Sequence, residues 1–191
     1  MNFTVRQLVF MALLGAITFV FDLAIVSGID ASTGIPGAGF MVDTIFVVAL
    51  MTIGGLVIKR FGVFSSIALI YGVLAVPTTV FGPPGVYKIV LSLVLGLVAD
   101  AVVYFFKYKR IGFYSAMAIG NVFGLPLFLL ALRWLGLPGS AELASAFWVI
   151  FAITVVESLI GAWLGLWLFE RRIKNLAVIK QIQTRGDSNE F

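Results

Sequence analysis

Six stretches of predominantly apolar residues follow one another along this chain with little between them. A helix needs about 20 such residues to cross the hydrocarbon core of a bilayer, with a working range of about 17–25. On that measure the spans fall at about 5–26, 38–58, 61–77, 84–106, 111–133 and 144–170. The third is pressed between Lys59-Arg60 and Pro77. Of the 191 residues, 61% are hydrophobic and 12% charged, more apolar surface than a soluble domain of this size could hide. The predicted fold is an all-α integral membrane bundle of six transmembrane helices.

The connecting loops alternate in charge. Lys59-Arg60, the Lys107–Arg110 segment and Arg171-Arg172-Ile173-Lys174 fall on one side, together with Arg6 ahead of the first span. The loops near 27–37, 78–83 and 134–143 carry no Lys or Arg. Positive charge stays cytoplasmic, so the expected topology has both termini inside. The pI near 9.6 belongs to these topology signals rather than to a nucleic-acid surface. The first span is too long for an ordinary signal-peptide core, and five more follow, so it is read as a helix. Residues 1–174 form one transmembrane domain, and the polar tail at 175–191 is expected to fray into the cytoplasm.

Histidine and cysteine are both absent, which removes imidazole bases, thiol nucleophiles, disulfides and the usual transition-metal ligands. No Walker motif, HExxH or GxSxG occurs, and the carboxylates stand alone. No catalytic residue, metal site or cofactor is therefore expected, and the chain is read as a non-enzyme.

Polar groups inside the spans cost roughly 2.5–3.5 kcal/mol each at a helix centre, so they tend to face a bundle interior or a water-filled cavity. Asp22, Asp43, Tyr87 and Lys88 lie toward the outer ends of their spans, Asn121 and Glu157 near the middle of theirs, and Arg133 closes the fifth. An outward-facing cavity would collect groups in this way. Lys88, Asn121 and Glu157 are placed to converge on it. Asp100 lies about 18 Å deeper than Lys88 along the fourth span and is expected to pair with a cytoplasmic Lys or Arg. Gly161 and Gly165 share a face with Thr154 and Glu157, and Gly120 and Gly124 repeat the GxxxG spacing, which predicts close packing of spans five and six. The Gly- and Ser-rich first outer loop, with Gly34, Ile35 and Pro36 at its centre, reads equally as a lid over the cavity or as a flexible connector.

Span one has two faces. At about 100° per residue Ala12 and Ala16 lie about 40° apart, whereas Gly15, Thr18 and Asp22 cluster on another face about 100° away. The polar face is expected to look into the bundle, and the smooth alanine face is available to another helix.

This AxxxA pattern on the N-terminal helix, after a short Arg-bearing start, is joined by the chain length, the six spans, the Gly/Pro-rich first outer loop and a fourth span ending GLVADAVVYFFKYK. Together they resemble the substrate-binding S component of an energy-coupling factor transporter over about residues 5–174. The resemblance implies a subunit that binds a vitamin or related micronutrient from outside. It has no ATPase of its own and works with a transmembrane T component and two ATP-binding cassette ATPases. It implies that Ala12 and Ala16, with Gly15 between them, dock on the T component. It also implies a binding site formed by the first outer loop and the outer parts of helices four to six, the region of Tyr87, Lys88, Asn121, Trp148 and Glu157. Asp43 joins these candidates from the second span. Met1-Asn2 replaces the Met-His start of the cobalt/nickel branch, which argues against a metal cargo. Lys88 and Arg133 would suit an anionic cargo, whereas Asp22, Asp43 and Glu157 would suit a cationic or amine-bearing ring, with aromatic side chains to stack on it. A thiamin- or pyrimidine-like compound is the specific expectation. The alternatives are a self-sufficient secondary transporter and a membrane scaffold.

Overall fold

The structure is a computed structural model and describes residues 3–33, 39–80, 82–136 and 140–187. These residues form α1 (Val5–Thr33), α2 (Phe40–Ile58), α3 (Val63–Ala75), α4 (Tyr87–Phe105), α5 (Arg110–Trp134), α6 (Ser140–Ser145), α7 (Phe147–Leu168) and α8 (Ala177–Asp187), with a π turn at Phe169–Ile173. No strand occurs among the described residues. Helices α1, α4, α5 and α7 with its π turn are long and apolar enough to cross a membrane, and α2 and α3 are shorter apolar helices.

Helix α1 runs to Thr33, so the first outer loop is shorter than the sequence suggests. No proline precedes Pro36, and the Ser32 and Thr33 hydroxyls donate back to the Ile29 carbonyl at 3.0 and 2.8 Å. Side by side, the long helices close a ring in the order α1, α3, α4, α5, α7, α2 and back to α1. Helices α2 and α3, consecutive in the chain, thus flank α1. Lys59 makes the turn between them by taking up the left-handed conformation at φ 48° and donating its N–H to the Gly55 carbonyl at 3.0 Å.

Glycines set the closest helix pairs. On α7, a Cβ added to Gly161 or Gly165 would lie 2.6 Å from the carbonyl oxygens of Ile45 and Ala49, so α7 rests backbone on backbone against α2. The expected glycine contact between spans five and six is not what forms. A Cβ on Gly124 would meet Leu95 of α4, and one on Gly120 would meet nothing within 4 Å. Overpacking costs about 1–3 kcal/mol where side chains can yield, and the obstacle at Gly165 is backbone. Gly165→Leu should therefore lower the thermal unfolding midpoint in detergent, while Gly120→Ala should not lower it. Equal midpoints for the two variants would refute this packing.

Helix α3 has 13 residues and so is about 20 Å long, against a hydrocarbon core of about 30 Å. A helix of that length falls short of such a core, and wherever a helix end lies out of water its backbone polar groups must be satisfied within the protein. Two charged residues of α4 do this. Asp100 accepts from the Phe64 and Ser65 backbone N–H groups at 3.1 and 2.9 Å and from the Ser65 hydroxyl at 2.6 Å, which caps the N-terminal end of α3. Lys88 donates to the carbonyls of Ala75, Thr78 and Val80 at 3.1, 2.7 and 2.6 Å, closing the C-terminal end. Twelve residues along α4 span about 18 Å, which matches the length of α3. The signs also match, a carboxylate at the positive pole of the helix dipole and an ammonium at the negative one. The cytoplasmic Lys or Arg expected for Asp100 is thus replaced by a helix N-terminus.

The basic turns gather at one end of the ring. Arg110 pairs with Glu170 at 2.6 Å, Arg6 donates to Gln181 at 3.1 Å, and the Phe3 ring lies beside Gly62. The ion pair is exposed and contributes about 0–1 kcal/mol, but it holds the start of α5 beside the end of α7. The tail expected to fray is helical through Asp187. Ile179 and Ile182, one helical step of three apart, are buried in the same apolar cluster as Ile58, Met11 and Phe169, so this amphipathic turn covers the basic end of the core.

Candidate functional site

Small and apolar residues at helical spacing leave a space inside the ring. Phe64, Ala68 and Tyr71 present one face of α3, Ser92, Gly96 and Ala99 one face of α4, and Ala116, Gly120 and Asn121 one face of α5. With Asp43, Thr44 and Met51 of α2 they enclose a cavity of about 160 Å³. Of its polar members, Asp43, Thr44, Tyr71 and Ser92 lie in the halves of their helices remote from the basic turns, and Asn121 lies at the middle of α5. At the opposite end the apolar core closes it, with the tilted Phe64 and Phe113 rings 6.3 Å apart and Met11 and Val103 buried nearby.

Behind the polar end the acidic groups connect. The Tyr71 hydroxyl donates to Asp22 Oδ2, and the Asp22 carboxyl lies within hydrogen-bonding reach of the Asp43 carboxyl. Thr44 Oγ1 is 3.5 Å from Asp43 Oδ1 and also bonds the Glu157 side chain from α7. Asn121 Nδ2 donates to Ser158 Oγ, which in turn donates to the Thr154 carbonyl and ties α5 to α7. Among the described residues, Asp22 Oδ1, Glu157 Oε1 and Ser92 Oγ are buried with no protein donor or acceptor bonded to them, apart from the facing carboxyl of Asp43 in the case of Asp22.

The candidate contacts are thus divided. Asp43 and Asn121 line the cavity, and Glu157 stands one side chain behind it. Lys88 is fully buried, with its three ammonium protons matched by three backbone carbonyls, so it has no donor left for a ligand. Tyr87 donates its hydroxyl to the Pro83 carbonyl at 2.8 Å in the turn before α4. Trp148 is 77% exposed on the outer surface, edge-on to Phe147 and Phe151. Arg133 is exposed at the end of α5. Gly34, Ile35 and Pro36 lie outside the described residues. Sequence reasoning missed Tyr71, Thr44 and Ser92, which are too common in spans to stand out. For Tyr71 and Ser92 the signal that could have found them is the step of three or four separating them from Ala68 and Gly96 on the same face.

On α1 the two faces separate as the helical wheel requires. Thr18 and Asp22 are 0% and 1% exposed, whereas Ala12 is exposed and Ala16 half-buried. Gly15 faces inward, where a Cβ would lie 2.9 Å from the Ile67 carbonyl oxygen, so it lets α3 approach and leaves Ala12 and Ala16 as the outward pair.

Compared with protein-family models, with curated proteins and with solved structures, the chain finds no match.

Proposed function

We propose that this chain is the substrate-binding membrane subunit of an energy-coupling-factor type importer. It would take a vitamin-like micronutrient from outside and release it inward after docking on a T component driven by two ATP-binding cassette ATPases. The observation that carries the reading is a small cavity, polar toward one end of a helix ring and closed by packed apolar side chains toward the other. Such a chamber holds a solute and does not conduct it, which suits a subunit that depends on partners for release. With the basic turns placed inside by the positive-inside rule, the polar end faces out, the six apolar helices traverse or enter the bilayer, and both termini are cytoplasmic. A self-sufficient carrier would need polar groups continuing inward, and Asp100, the deepest of them, is occupied with the end of α3.

Thermal unfolding of the purified chain in detergent, against B vitamins, pyrimidine precursors and nucleobases, tests the binding half. A ligand at 100 times its dissociation constant stabilises by about 2.7 kcal/mol, which shifts the midpoint visibly. No shift from folded protein across the panel would count against a binding subunit for these cargoes. For the docking half, Ala12→Trp should abolish co-purification with a T component. Because Ala12 is exposed, the stability of that variant should stay within about 0.5 kcal/mol of the parent. Undiminished assembly would remove the docking role of this face.

A further inference from the structure

We infer that the cavity selects an organic cation, a protonated amine carried on an apolar body of about one ring. The inference rests on the binding-subunit reading and adds the charge and size of what is bound. Charge comes first. The lining contains Asp43 and no basic residue, and the carboxyls beside Asp43 are those of Asp22 and Glu157. Lys88 acts on Asp22 as a cation, but it is absent from the lining and all three of its ammonium protons go to carbonyls at the end of α3. A further buried oxygen of the lining points to a missing donor. Ser92 is 4% exposed, yet its Oγ has no hydrogen-bond partner among the described residues. A buried acceptor without a donor is costly, and an ammonium brings up to three donors with the matching charge.

The remainder of the lining decides between an inorganic and an organic cation. A bare ion of the sodium or calcium kind needs about six oxygen ligands. Here most of the wall is apolar, including Met51, Phe64, Leu95 and Met117, and no group of acidic side chains suited to a metal occurs among the described residues. Such a wall suits a hydrocarbon body. At about 160 Å³ the space resembles the engineered apolar cavity of about 150 Å³ that accepts benzene, so one ring fits. The ring would lie against Phe64 and Met117, and its ammonium at Asp43, with Tyr71, Thr44 and Ser92 around it.

A charge series at constant shape tests this. The full chain in detergent is titrated with benzylammonium, benzyl alcohol and benzoate at equal concentrations, and the shift in unfolding midpoint is read. The expected result is a shift with benzylammonium alone, with its affinity reduced about tenfold or more in Asp43→Asn, the loss typical of removing one partner from a buried charge pair. The series on the parent protein stands even where that variant fails to fold. Equal shifts from the alcohol or the benzoate would overturn the cation inference while leaving a binding cavity in place. So would a neutral or anionic hit from the vitamin panel. Shifts from none of the three probes would also overturn it, and if the vitamin panel were silent as well the binding-subunit reading would fall with it.

Discussion

Asp100→Ala should lower the stability of the folded chain in detergent by about 3 kcal/mol, through the loss of charge-assisted hydrogen bonds worth about 1.5–3 kcal/mol each and not fully additive. The reason is local. Helix α3 ends inside the protein, and the Phe64 and Ser65 N–H groups find their acceptors on Asp100 alone of the charged residues. Asp100→Asn keeps the shape but turns one accepting oxygen into a donor, so it should recover little of the loss. If asparagine restored the unfolding midpoint, Asp100 would be filling space rather than capping a helix, and the account of how α3 is held would fail. Protection from hydrogen exchange should fall first at residues 64 and 65 in either variant, since these amides bond to the Asp100 carboxylate.

Lys88→Met is the counterpart at the other end, with an expected cost of about 3–5 kcal/mol, the range for removing one member of a buried charged assembly. Methionine preserves much of the stem, so the loss isolates the ammonium. The carbonyls of Thr78 and Val80 would lose the ammonium, Ala75 would keep only the Thr78 N–H and hydroxyl, and Asp22 would lose the cation acting on it. Arginine should not substitute well. Its planar fork directs donors at a pair of acceptors, whereas these three carbonyls converge on a single nitrogen. The measurement is again thermal unfolding, together with ligand binding. An unchanged midpoint with lost binding would return Lys88 to the substrate and overturn its structural role. A lowered midpoint, with binding retained by the fraction that folds, is the outcome expected here.

These two residues show how far the spans could be read in advance. The charge of Lys88 and Asp100 marked them as needing partners, and their separation of twelve residues was plain. Their partners were backbone groups of another helix, which no side-chain pattern announces. The same limit applies to Gly161 and Gly165. The GxxxG spacing correctly marked a close approach, but α2 rather than α5 makes it, because spacing identifies a face and not its neighbour. Trp148 shows the opposite failure. An aromatic near a polar region suggested stacking on a ligand, while its position on α7 directs it outward. Span one was the most legible, since the 100° step alone separates Ala12 from Thr18 and Asp22, and burial follows that division.

The membrane environment, the helical class and the charge asymmetry of the loops were determined by the sequence alone. Each depends on composition within one segment, and lipid leaves few conformations open to a long apolar run. The end of α1 and the helical tail needed the structure, although local signals for both were present in the missing proline and the Ile179–Ile182 pair. The tertiary structure decided the order of the ring, the double clamp on α3 and the charge of the cavity. These depend on which helix lies beside which, and a lysine is a ligand group or a helix cap according to what its three protons meet.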